Sequence, residues 1–187
     1  ITVELSDVKV KQKPISKKNA VGIDTGIKAF ATLSDGTKIE NPKHLKNSIQ
    51  RLKVLQRRAS KKQKGSSNRR KANLKVALLH EKISNQRLDF LHKTTTAIAK
   101  QYDTVACENL NISGMMRNHK LAQSIADLGL GRFYTLLQYK MQERGGNYLE
   151  IGMFQPSSRM CSCGVINKEL KLSDRIWTCK ACGVTHE

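Results

Sequence analysis

Between Lys43 and Lys75 lie 33 residues, of which 13 are Lys or Arg and none is Asp or Glu. No stretch of the chain restricts its fold more. Like charges at helical spacing repel one another. A solvated face normally mixes signs, whereas a one-sign run requires a polyanion to neutralise it. Leu45, Ile49, Leu52 and Leu55 recur at helical spacing. "KKQKGSSNRRK" then breaks the pattern. A second helix is expected from about Asn68 towards Lys100, carrying Leu74, Leu78, Ile83, Leu88, Leu91 and Ile98. The pattern predicts a helical hairpin with a basic tip, inserted at about residues 43–100. Arg51, Arg57, Arg58, Lys61, Lys62, Lys64, Arg69, Arg70 and Lys71 are its candidate phosphate contacts.

The whole chain of 187 residues shares this bias, with 34 Lys+Arg against 15 Asp+Glu and a formal charge of +19. Nucleic acid is the first partner this implies and an anionic membrane surface the second. No apolar run approaches the ~20 residues of a membrane helix, and no signal peptide is visible. A hydrophobic content of 39% indicates a folded protein rather than a basic tail.

The segments around the arm read as strands and helices. "ITVELSDVKVKQK" alternates apolar and polar residues and predicts a strand. "VGIDTGIKAFATLSDGTKIEN" predicts strand, turn and strand, with "SDGT" turning into a third strand. Thr104–Cys107 reads as a short buried strand ended by Glu108. "KLAQSIADLGLGRFYTLLQYKMQERGG" is helical with a break at "LGLG", and "NYLEIGMF" is another strand. The order is that of a mixed α/β fold with an inserted helical arm.

Asp24 and Glu108 each fall at the carboxyl end of a predicted buried strand, where α/β sheets place their ligands. Two carboxylates brought together repel unless a cation intervenes. Mg²⁺ suits such a pair, because it takes oxygen ligands and bridges to phosphate oxygens. Two bland readings stand beside this one. Asp-x-Gly is common turn chemistry, and Glu108 has many lysines available for an ion pair. "GIDTG" also fits the Mg-phosphate hairpin of actin-like kinases, but no second phosphate loop accompanies it.

Four of the five cysteines are Cys161, Cys163, Cys179 and Cys182. Cys179-x-x-Cys182-Gly183 has zinc-knuckle spacing, while Cys161-x-Cys163 is one residue short of it. Fifteen residues separate the pairs. Four thiolates suit a closed tetrahedral Zn²⁺ site, and a relic site is the alternative. Cys107, in a predicted core strand, is expected to be an inert buried thiol. His186 follows the second pair and is expected at the surface, the alternative being a place at the zinc cysteines, as a substitute ligand or just outside the ligands.

Together these segments resemble the insertion-sequence TnpB/OrfB family, RuvC-like relatives of the type V CRISPR effectors. "VGIDTGIKAFATLSDG" looks like the family's first RuvC-like motif and "CENLNISGMMRN" like its second. "RLKVLQRRASKKQKGSSNRRK" and "HEKISNQRLDFLHK" are similar to its basic arm. "KLAQSIADLGLGRF" resembles a segment in which the family usually has Trp where Leu130 stands. "FQPSSRMCSCG" and "RIWTCKACGVTHE" resemble its zinc ribbon.

The resemblance implies an RNase H-like (RuvC-like) mixed sheet, with a nuclease domain over 1–155 and a zinc ribbon over 156–187. It implies RNA-guided, Mg²⁺-dependent DNA cleavage, with Asp24 and Glu108 as catalytic carboxylates and metal ligands. DNA and a guide RNA would be the partners, without a membrane, in prokaryotic cytoplasm near the nucleoid. Members also carry an amino-terminal half that grips the guide, and a third catalytic Asp a few residues beyond the position of Glu187. Residues 1–187 are therefore expected to be a fragment that cuts poorly or not at all. A nuclease-dead nucleic-acid binder is the alternative.

Overall fold

A computed structural model describes residues 10–152, 159–170 and 176–186. The chain divides into two compact units, Ile1–Ile151 and Gly152–Glu187. Most of the expected amino-terminal strand, and the end of "NYLEIGMF", lie outside the described residues. Residues 10–13, which are described, join no ladder.

The first unit is built on strands β1 (Ala20–Thr25), β2 (Ala29–Leu33), β3 (Lys38–Glu40), β4 (Thr104–Glu108) and β5 (Asn147–Ile151). Their order across the sheet is β3-β2-β1-β4-β5. The first three form an antiparallel meander. Here tight turns suffice, and Gly36 at φ 89° supplies one of them. β1, β4 and β5 are parallel. Parallel pairing requires long crossovers. The arm supplies the first, through α1 (His44–Ser60) and α2 (Ser67–Gln101). The second runs through α3 (Ile112–Met116), α4 (Ala122–Leu128) and α5 (Leu130–Glu143).

One sheet face is covered. Val21, Ile23, Phe30, Ala31, Leu33, Val105 and Cys107 are buried with Leu91 and Ile98 of α2 and Phe133, Leu137 and Met141 of α5. Phe30 meets Phe90 and Phe133 edge-on, with ring centroids 4.9 and 5.1 Å away. Each fully buried ring contributes about 1.5–3 kcal/mol of transfer free energy. The break between α4 and α5 falls at Gly129, whose φ of 65° favours glycine. Gly145 ends α5 in the same conformation, and a Cβ there would lie 2.3 Å from Lys11 O.

The arm has a small core of its own, Leu52, Leu79 and Ile83, with Leu45, Leu55 and Val76 against it. Leu74 and Leu78 keep helical spacing but are 59% and 54% exposed. The buried stripe of α2 within the arm is therefore Val76, Leu79 and Ile83. Helical period alone does not say which of two apolar stripes faces the partner helix.

The root of α1 is fastened from a distance. Lys43, its N-cap, offers no side-chain bond to the first turn. The Asp127 carboxylate of α4 accepts instead from Leu45 N at 3.0 and 3.1 Å and from Lys46 N at 3.3 Å. Arg87 Nε lies 3.5 Å from the same carboxylate, an ion pair without hydrogen-bond alignment. Asp127→Ala removes a cap and leaves Arg87 unpaired. The expected cost is ~2 kcal/mol, about 4–8 °C in Tm for a domain this size. Thermal melts of parent and variant would show it, and an unchanged Tm would mean the cap is dispensable.

Candidate functional site

Asp24 is a strand residue, paired with Thr32 in the β1–β2 ladder. The turn reading is thereby set aside, because the connection begins only after Thr25. On its other side β1 pairs in parallel with β4, Ile23 opposite Cys107. One further step of that register brings Asp24 beside Glu108. Ile23 and Cys107 face the core, so the alternation of side chains turns both carboxylates to the opposite face. There they border a shallow concavity of about 270 Å³. Its floor and walls include the small or polar residues Gly22, Thr32, Ser34 and Ala106. Glu150 pairs with Cys107 rather than Glu108, so it projects out of phase with the two acids.

Asp24 is exposed and Glu108 half-buried. Partial desolvation, and then the charge of Glu108, hold the Asp24 carboxyl above the usual carboxylate range. A raised native value favours folding fully only below the unfolded value of about 3.9. That contribution is lost as pH rises through the native value. Where Asp24 is ionised it therefore opposes folding, and a divalent cation would relieve this. In metal-free buffer at pH 7, Asp24→Asn is expected to keep or raise Tm. Mg²⁺ at about 100 times its Kd is expected to stabilise the parent by about 2.7 kcal/mol and the variant far less. A differential scanning measurement with and without Mg²⁺ decides. A lower metal-free Tm in the variant would make Asp24 a structural residue instead.

Thr25 Oγ1 and Tyr134 OH are 2.7 Å apart, tying the end of β1 to α5. Burial, acting first, raises the Tyr134 phenol above its ordinary range despite this bond. Periodicity marks Tyr134 only as helical, so sequence reading had no signal for this tie. Cys107 is fully buried, and desolvation pushes its thiol up to about 12. That agrees with the expected inert core thiol.

The second unit gathers Cys161, Cys163, Cys179 and Cys182 with all sulfurs within 4.8 Å of one another. Cys161 Sγ is 3.3 Å from Cys182 Sγ, and Cys163 Sγ is 3.7 Å from Cys179 Sγ. A tetrahedral ion with bonds of about 2.3 Å separates its sulfurs by about 3.8 Å. The shortened first pair thus still reaches a metal-sized cluster. The Cys163 backbone N–H, first among the causes, pulls the Cys161 thiol down to about 5. Against the pull of the Val184 N–H, hydrogen bonds shared with neighbouring thiols push Cys182 up to about 12. His186 was expected at the surface. It is half-buried instead, with Nε2 3.1 Å from Cys161 Sγ.

On the arm, Arg51, Arg57, Arg58, Lys61, Lys62, Lys64, Arg70 and Lys71 are exposed. Arg69 is half-buried, and its Nη1 donates to Lys62 O at 3.0 Å across the hairpin tip. A groove of about 740 Å³ between α1 and α2 has Val54, Leu55, Leu78 and Leu79 inside Arg51, Arg58, Lys75 and Lys82. It is larger than the concavity at the sheet end, but holds no acid or base suited to hydrolysis. No described helix is long and apolar enough to cross a membrane.

A family model described as a probable transposase, OrfB of IS605, matches residues 1–119. The chain belongs to this OrfB family. A second model, described as the Cas12f1-like TNB domain, matches residues 131–187. Among curated relatives, the "Putative RNA-guided DNA endonuclease" of Streptomyces pristinaespiralis is 43% identical over 90% of this chain and 42% of its own length. The "Putative RNA-guided DNA endonuclease InsQ" of Escherichia coli is 36% identical over 88% of this chain and 45% of its own. The chain thus spans less than half the length of these OrfB relatives. Its fold resembles a chain of a solved Cas12f1-sgRNA-target DNA complex, with TM-score 0.57 and 15% identity over 93% of this chain and 48% of that one.

Proposed function

We propose that this chain is the nuclease portion of an RNA-guided DNA endonuclease. The observation that carries the reading is the β1–β4 register, which sets Asp24 beside Glu108 on the open sheet face. The sheet order β3-β2-β1-β4-β5, three strands antiparallel and the last two parallel to β1, supports an RNase H-like, RuvC-like assignment. The expected RuvC-like domain over 1–155 and ribbon over 156–187 are kept on that reading. The names of the OrfB relatives support the activity and its guide RNA and DNA partners.

Asp24 and Glu108 fit Mg²⁺, being adjacent oxygen donors whose mutual repulsion a cation relieves. When bound, the ion supplies charge stabilisation for hydrolysis of a phosphodiester. The carboxylates hold it at the sheet end, and the shallow floor admits a backbone without a deep pocket. Arg51, Arg57, Arg58, Lys61, Lys62, Lys64, Arg69, Arg70 and Lys71 contact phosphates of the guide or its heteroduplex with target. Cys161, Cys163, Cys179 and Cys182 hold a structural Zn²⁺.

The test supplies the protein, at the length of its relatives, with RNA from its own locus, Mg²⁺ and DNA targets. Cutting is expected only where guide and target match. Equal cutting of matched and scrambled targets, or none under any guide, would reject the reading.

A further inference from the structure

Four thiolates fill a tetrahedral zinc site, yet the second unit brings a fifth polar group to it. His186, on β7 (Thr185–His186), faces Trp177 on β6 (Trp177–Thr178) in an antiparallel pair. The two rings stack with centroids 4.6 Å apart and planes 25° from parallel. This fixes the imidazole in orientation, and its Nε2 is 3.1 Å from Cys161 Sγ. Cys161 is buried, at 2% exposure.

Zn²⁺ with four thiolates carries a net charge of about −2, and buried thiolate lone pairs then require hydrogen-bond donors. Backbone N–H groups at the knuckle turns are the usual source. The first knuckle, Cys161-Ser162-Cys163, is one residue short and has one amide fewer to offer. The histidine stands beside this pair.

We propose that His186 donates its Nε2 hydrogen to the Cys161 thiolate and is thereby a positioning residue of the metal knuckle, with Trp177 holding the ring. The inference rests on the reading that the four cysteines bind zinc. A thiolate can only accept, so the hydrogen is assigned to Nε2. Imidazoles and carboxylates placed just outside a metal's own ligands typically change affinity 10–100-fold.

The experiment uses the full chain with Zn²⁺ and with Co²⁺ as a spectroscopic probe. His186→Phe keeps a ring on Trp177 but removes the donor, while His186→Gln restores an N–H near the same place. Zinc affinity is read by competition with a chromophoric chelator at fixed pH, and circular dichroism of the metal-loaded forms checks folding. His186→Phe is expected to bind zinc at least 10-fold more weakly, and His186→Gln to recover most of the loss. The sulfur-to-cobalt charge-transfer bands are expected to report four thiolates in all three proteins. Equal affinity of parent and His186→Phe would overturn the proposal. So would a parent cobalt spectrum of three sulfurs and one nitrogen, which would make His186 a direct ligand. If the parent binds neither ion, the zinc reading itself falls and the inference with it.

Discussion

With Asp24 replaced by Asn, a protein of its relatives' length is expected to cut matched DNA about 10³-fold more slowly. Glu108→Gln is expected to do the same. Each substitution removes the charge and one oxygen of one of the two carboxylates that border the concavity at the sheet end. A hydrolytic metal held by one carboxylate loses both affinity and placement. The two residues act as a unit, so the double variant should be scarcely slower than either single one. Affinity for nucleic acid should survive, because the nine candidate phosphate contacts lie on the arm. Single-turnover cleavage alongside a binding titration separates the two. Variants that cut within a few-fold of the parent would remove Asp24 and Glu108 from the chemistry.

The second large effect is electrostatic. Replacing Arg57, Arg58, Lys61, Lys62, Arg70 and Lys71 with Gln should abolish tight RNA binding at 200 mM salt. A protein neutralising six or more phosphates loses about 10³-fold or more in affinity between 50 and 200 mM salt. Removing six contacts should flatten the slope of log K against log salt by about 4 to 5. All six side chains are exposed and on one hairpin, so their loss should leave the sheet intact and Tm nearly unchanged. Fluorescence anisotropy over a salt series tests this. A parent whose affinity ignores salt would end the phosphate-contact role of the arm.

How far the sequence discloses this molecule depends on the range of the forces involved. Helix α2 is expected from about Asn68 to Lys100 and runs Ser67–Gln101, because apolar period, the Ser66 cap and Gly65 are all local signals. The break at "LGLG" is equally local, resting on Gly129. Strand ends carrying Asp24 and Glu108 were legible from apolar runs interrupted by a carboxylate. Their adjacency was not, since it depends on pairing across the whole arm. Asp127 capping α1 was hidden for the same reason, as its acceptors and donors are some 82 residues apart. His186 was expected at the surface first and beside the cysteines second, because a lone histidine after a knuckle is chemically ambiguous; its stack on Trp177 is a tertiary feature that spacing does not show.

The arm, seen as chain entropy, is a loop between β3 and β4, outside the β1–β4 ladder that holds the carboxylates. Its tip is Gly65, at φ 81° with open space around it, between exposed Lys64 and half-buried Ser66. Closing a longer loop costs only about 0.6 kcal/mol per doubling of its length, and a helical hairpin lengthens by whole turns. The length of the arm can therefore grow or shrink at the tip while the β1–β4 ladder keeps its spacing. Span and chemistry are set by separate parts of one sequence, and each can change without re-solving the other.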